Sequence, residues 1–184
     1  MARRLERKPD LMIVSPFLRA RGTAEAVRRR WPAIPLAIWP IHELTFLSPQ
    51  ICAGSDRIGR LPMVRRYWEQ GDPAYVHGPD AESFSAFVAR VRAFHAGLMA
   101  LEAGVVLAVG HGQFFRAYLL ALSEGLSDCS EGMRAFRRAE AADPIRNAQL
   151  LTLEARDLSE FRVRPCDHPA CRSPSVGSAS ADPA

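Results

Sequence analysis

The sequence predicts an α/β protein, with three α/β/α layers built on a mainly parallel sheet. Two observations carry this. Short apolar runs rich in β-branched residues, 11–14, 36–39 and 105–109, read as strands, the last as one buried on both faces. Between them lie helix-length segments with apolar residues at three- and four-residue spacing. Strand, helix, strand, helix in that order gives parallel strands joined by crossovers, with helices on both faces.

In chain order, Pro9-Asp10 leads into the strand Leu11 to Val14, and Ser15-Pro16 ends it. A helix is predicted from Phe17 to Arg30, with Ala20, Ala24, Val27 and Trp31 as one apolar stripe. A short strand from Leu36 to Trp39 stops at Pro40, and an irregular region follows to about Pro62. A connection of that length in a compact domain usually covers or builds a site. Met63 to Gln70 reads as a short helix, and Gly71 to Asp80 as loop. Asp80 is the expected cap of a long helix over Ser83 to Glu102, striped by Phe84, Phe87, Val88, Val91, Phe94, Leu98 and Leu101.

Gly104 stops that helix, and the stretch Gly104 to Leu122 organises the rest. Its strand breaks at Gly110-His111-Gly112, and Gln113 to Leu122 reads as a helix. A titratable side chain between two glycines, where a buried strand hands over to a helix, lies where open α/β sheets bind ligands. The helix start adds unpaired N–H groups and partial positive charge, which favour an anion. Two readings of His111 stand at this point: a group facing a phosphate or carboxylate, and a histidine that only closes a turn. Arg19 falls in the first turn after strand 11–14, on the same sheet edge as His111 if both strands are parallel.

Beyond Leu122, Cys129 to Arg138 reads as a helix, and 147–155 and 159–164 as two edge strands joined at Arg156-Asp157. The expected organisation is one domain over residues 1–164, then a disordered serine-, proline- and alanine-rich tail over 165–184.

Composition bounds the partners. The net charge is +4 and Lys8 is the only lysine, but the arginine clusters fall on helices interleaved with acids. They read as solvated faces, so no nucleic-acid partner is expected. No apolar run is long enough to span a bilayer and the N-terminus has no apolar signal core, so the expectation is a cytoplasmic protein without membrane contact. Cys52, Cys129, Cys166 and Cys171 are too scattered for a disulfide framework. Cys166-x-His168-x-x-Cys171 offers three soft ligands where a structural zinc site normally wants four, and neither metal nor other cofactor is expected. The sequence does not speak to oligomeric state.

Three ordered segments resemble the histidine phosphatase superfamily, the phosphoglycerate mutase-like proteins. Val14-Ser-Pro-Phe-Leu-Arg-Ala-Arg-Gly-Thr-Ala-Glu25 is similar to the family's S-P-x-x-R-A-x-Q-T-A-E, departing at Gly22, where glutamine is usual. Gly78-Pro-Asp-Ala-Glu-Ser-Phe84 with Phe87 and Arg90-Val91 resembles G-x-E-S…F…R-V, and Val109-Gly-His-Gly112 with Arg116 resembles V-x-H-G…R. Asn147 before the late segment also fits. The resemblance implies a phosphoglycerate mutase-like fold and phosphomonoester hydrolysis or phosphoryl transfer through a phosphohistidine, without metal or organic cofactor. It implies that Arg19 and His111 hold phosphoryl oxygens, where fixed cations and donors stabilise spreading negative charge. Glu43 follows as the general acid, and Glu82 and Ser83 as possible substrate contacts that helix capping explains equally well. The partner expected is a small phosphorylated substrate or phosphate.

The family's attacking histidine stands in an Arg-His-Gly at the end of a first strand, and no Arg-His-Gly occurs in this sequence. His42, His77, His95 and His168 offer no convincing replacement. The expectation is therefore a phosphoglycerate mutase-like domain whose first strand is missing, an incomplete version of a longer chain with impaired or absent activity. The alternative is a non-catalytic binder of phosphorylated ligands.

Overall fold

A parallel sheet of three short strands sets the frame of this computed structural model, which describes residues 5–164. β1 (Leu11–Val14) lies between β2 (Leu36–Ile38) and β3 (Val106–Val109). Both pairings are parallel, with Met12 opposite Leu36 and Val14 opposite Val109. The helices are α1 (Leu18–Arg28), α2 (Arg57–Gln70), α3 (Phe84–Met99), α4 (Gly112–Ser123), α5 (Ser130–Ala142) and the single turn α6 (Ala155–Leu158). β4 (Leu126–Ser127) and β5 (Val163–Arg164) form a second, two-stranded parallel ladder.

The two-residue strand period assigns side chains to the two faces. Met12, Val14, Leu107 and Val109 pack against Ala20, Ala24 and Val27 of α1, which forms one outer layer. Leu11, Ile13, Val106 and Ala108 turn the other way, into a larger core with Phe87, Val91 and Phe94 of α3 and Phe114, Ala117 and Ala121 of α4. That core is dense in aromatic rings: Phe87 meets Phe114 edge-on at 6.1 Å and Phe136 of α5 at 5.6 Å.

Several boundaries differ from the sequence reading for local reasons. α1 starts at Leu18, so Pro16 precedes the helix, and Ser15 Oγ accepts from Phe17 N at 3.4 Å. α2 begins six residues before the expected Met63, because Asp56 caps it through Gly59 N at 2.7 Å and Pro62 is absorbed in its second turn. Asp80 does not cap α3. It sits at φ 58° with its carboxylate on Gln50 Nε2, and Ser83 caps the helix instead, accepting from Ala86 N. The expected edge strand over 147–155 is absent. Ala148 takes a left-handed conformation (φ 57°), Arg146 and Gln149 close a turn, and a reciprocal capping box between Glu154 and Asp157 winds α6 where a hairpin turn was expected. Residues 163–164 do form a strand, but with β4 as partner. The tail over 165–184, with the Cys166, His168 and Cys171 triplet, lies outside the described residues. Among the described residues no helix is long and apolar enough to cross a membrane.

Phe87 is fully buried among three other rings, Phe84, Phe114 and Phe136. Phe87→Ala is expected to cost about 3–5 kcal/mol, a large part of a typical domain's stability. A urea midpoint within experimental error of the wild type would contradict this packing.

Candidate functional site

The site forms where the carboxyl ends of β1 and β3 meet. Their register places Val14 beside Val109, and Ser15 N extends the ladder by donating to Val109 O at 2.9 Å. Ser15 and His111 therefore leave the sheet at the same edge. Gly110 is required there by crowding: a Cβ on it would lie 2.8 Å from Ile41 O and 3.0 Å from the Phe115 ring. The chain then turns into α4, with His111 at the N-cap in extended backbone geometry and no side chain capping the first turn. Among the described residues no side chain accepts from its first N–H groups, donors of the kind that hold anions, although Ile145 packs close to Gly112.

Arg19, in the first turn of α1, donates from Nε to His111 Nδ1 at 3.0 Å. A guanidinium is only a donor, so Nδ1 must carry the lone pair and Nε2 the proton. Nε2–H then donates to Ser15 Oγ, 2.9 Å away. His111 is 5% exposed and is held neutral, its pKa pushed down to about 4 by burial first and then by the charges of Arg19, His42 and Arg90. The far end of Arg19 meets the Glu43 carboxylate, Nη2 to Oε2, at 3.0 Å, and both side chains are about half exposed. Arg19 Nη1 has no hydrogen-bond partner among the described residues, so one end of the fork is open. The structure thus brings Arg19, His111 and Glu43 into one connected chain.

The segment carrying Glu43 is fixed from behind by Arg90. Its guanidinium donates to the backbone oxygens of Pro40, His42 (3.2 Å) and Glu43 (3.4 Å) and pairs with both carboxylate oxygens of Glu82. Glu82 Oε1 also accepts from Thr45 N at 3.3 Å, and Glu82 N donates to Thr45 O. Both side chains of the pair are over four-fifths buried. Glu82 therefore faces inward in this structure, and Ser83 serves as the α3 cap.

Three contributors were not read as parts of the site from sequence. Sequence places Ser15 at the strand end and helix start and inside the Val14–Glu25 segment, with no role at the site, although a hydroxyl one residue past the strand lies on the edge assigned to His111. Arg90 was noted within a motif, but its backbone partners are 47 to 50 residues away and leave no local signal. The His42 ring packs against Phe17 at a tilt, with centroids 5.4 Å apart, and Phe17 in turn meets His111 edge-on at 5.6 Å. His42 Nδ1 is buried with no partner among the described residues, and burial lowers its pKa. Other histidines lie elsewhere: His77 accepts from Ser48 N, while His95 stacks on Phe161 and bonds Tyr118. Among the described residues no cluster of three metal-ligating side chains occurs.

Comparison with known proteins now bears on this geometry. The sequence profile described as histidine phosphatase superfamily (branch 1) matches residues 1–142. Among solved structures, one described as mycobacterial hydrolase 1 is similar, at 20% identity and a TM-score of 0.49, covering 85% of this chain and 74% of that one. Comparison with curated proteins gives no match.

Two outcomes follow from the charges. Arg90→Gln leaves the Glu82 carboxylate buried without its cation, and is expected to lower stability by about 2–4 kcal/mol in urea titration. An effect within 0.5 kcal/mol, on the order of a plain surface change, would refute the clamp. His111 releases its proton on folding: between pH 6.5 and about 4 the unfolded imidazole is protonated and the folded one is not. Stability is therefore present above pH 6.5 and falls as pH drops toward 4, with His42 and His95 acting in the same sense. Urea midpoints across that window should fall less steeply in His111→Gln, and an unchanged slope would count against a neutral His111.

Proposed function

The chain belongs to the histidine phosphatase superfamily, and on that premise we propose that the Arg19–His111 site receives the phosphoryl group of a small phosphomonoester. The observation that carries this reading is the direct bond between Arg19 and a buried, neutral His111 at the start of α4. The open Nη1 of Arg19 and the uncapped N–H groups of α4 are donors suited to phosphoryl oxygens. An anion placed there counters the share of the His111 shift that comes from Arg19, His42 and Arg90, behind that of burial, and so favours a proton at Nδ1. Arg19 Nε then loses its acceptor and is released toward the anion, so that both groups become donors to it.

Within the superfamily's chemistry, a histidine nitrogen bonds to phosphorus as the P–O bond to the leaving group breaks, and a carboxylic acid protonates that oxygen. Glu43, half exposed beside Arg19, is our assignment for the acid. His111 is assigned to holding the phosphoryl group, since both of its nitrogens are already engaged. With no Arg-His-Gly in the sequence, the pocket supplies the oxygen-holding and proton-donating half of the reaction, and turnover is impaired. A second reading, a binder that performs no chemistry, rests on the same full engagement of His111.

Titration with inorganic phosphate tests the reading. Arg19→Ala should weaken binding by about ten- to a hundredfold, the worth of one charge-assisted pair, and His111→Ala should weaken it as well. The His111 ring resonances should show a pKa that rises when phosphate is added. Phosphate affinity unchanged in both variants, or no binding at all, would end the proposal. Hydrolysis of p-nitrophenyl phosphate that disappears in His111→Ala without unfolding assigns the site to catalysis; binding without turnover assigns it to recognition alone.

A further inference from the structure

The first two turns of α2 stand in solvent. Residues 56–62 are all exposed, among them Ile58 at 74% and Leu61 at 49%. A single exposed apolar side chain is ordinary, but here two share a helix face with several cations.

Contacts on the opposite side fix which face of α2 looks outward. Tyr67 is buried against Phe46, Trp68 and Tyr75. Arg60 donates to Ser55 Oγ at 2.9 Å and to the backbone oxygens of Cys52 and Ser55. Residues 60, 64 and 67 fall on one side at helical spacing, so the other side carries Ile58, Leu61, Pro62 and Arg65, flanked by Arg57 and Arg66. Ile51, 52% exposed, stands next to Cys52 in the loop that Arg60 ties to this helix. Among the described residues Arg57, Arg65 and Arg66 have no hydrogen-bond or ion-pair partner. Asp56 spends its carboxylate on Gly59 N, which leaves Glu69, at the far end, as the acid on the outward face.

We propose that the outward face of α2 docks on the surface of an anionic phospholipid bilayer. Ile58 and Leu61 enter the headgroup layer, while Arg57, Arg65 and Arg66 meet lipid phosphates. Apolar side chains beside unpaired cations on a convex helix suit a helix lying in an interface. Nucleic acid would answer the arginines but leave Ile58 and Leu61 without an apolar partner, and this face has no aromatic ring to stack on a base. A symmetric contact between two copies would set three unpaired arginines against three more. The expectation of no membrane contact weighed only spanning segments and a signal core, and docking on a surface needs neither.

Co-sedimentation of the full chain with vesicles of equimolar phosphatidylserine and phosphatidylcholine tests the proposal. Binding is expected to those vesicles, not to pure phosphatidylcholine, and should weaken as salt is raised. Arg65→Gln should weaken it by about fivefold, and Arg65→Gln with Arg66→Gln by roughly twenty-fivefold. Ile58→Ser and Leu61→Ser should each weaken it by about fivefold or more. All four side chains are exposed, so urea midpoints should stay near the wild type. Leu18→Ser, on α1, should bind like the wild type although Leu18 is 83% exposed. No binding to the anionic vesicles, binding unchanged in the α2 variants, or an equal loss in Leu18→Ser would overturn the proposal. Arginine-dependent binding that duplex DNA matches and both serine variants leave intact would also overturn it, assigning the face to polyanions in general. A dimer in sedimentation that Ile58→Ser dissociates would overturn it as well, in favour of a second copy of this chain.

Discussion

The bond from Arg19 to His111 can form only because β1 and β3 are adjacent, parallel and in register. The two residues lie 92 positions apart, and each stands a few residues beyond the end of its strand. A one-residue slip between these strands would exchange their faces, sending Met12 and Val14 to the α3 and α4 side and moving Ser15 away from His111. Burial accompanies this register: Met12, Ile13 and Val14 are fully buried, Ile13 on one face and Met12 and Val14 on the other. The electrostatics of the site thus follow from apolar packing beneath it. Burial makes the His111 imidazole neutral, and neutrality lets it accept from a guanidinium rather than repel it.

A second constraint fixes the other wall. Residues 39–56 contain no helix or strand, and a segment of that kind needs partners for its backbone oxygens. Arg90 provides three of them from α3, while Glu82 engages the same segment through Thr45. Glu43 therefore has a rigid backbone and a half-exposed carboxylate. This division suits a group that must reach a ligand while its attachment stays still. Arg19 and Arg90 do different work despite their shared chemistry, one with its side chain more than half exposed beside Glu43 and one enclosed between Phe87, Phe114 and Glu82.

Sequence was most informative where a single periodic signal decided the outcome. The runs at 11–14 and 105–109 and the aromatic stripe of α3 read correctly because burial on a strand or helix face imposes spacing on apolar residues. Glycines flanking His111 marked a sharp strand-to-helix passage, and the structure ties one of them to a crowded contact with Ile41. The signal failed where long-range pairing or local capping overrode apolar pattern. Leu150, Leu151 and Leu153 look like strand residues, yet left-handed Ala148 and the Glu154–Asp157 box direct the chain into turns. β4 and β5 are two residues each and leave no periodicity to read. The Arg90 clamp was invisible for a related reason: its acceptors are backbone oxygens, which carry no residue identity.

The helix layer of this protein is wider than its sheet. A parallel sheet is normally covered on both faces, and here α1 covers one while α3 and α4 cover the other. α3 and α4 also present Leu98, Phe115 and Leu119 beyond the last strand, where Ile145, Leu151 and Leu153 line the same groove and no described strand pairs with β3. Apolar helix faces extending past a sheet are costly in water unless something occupies the space below. At the same position β3 leaves two residues' worth of backbone groups unpaired, so packing demand and hydrogen-bond demand coincide along one line. That line ends at Gly110 and His111. The sheet edge and the candidate site at its carboxyl end therefore share one stretch of backbone.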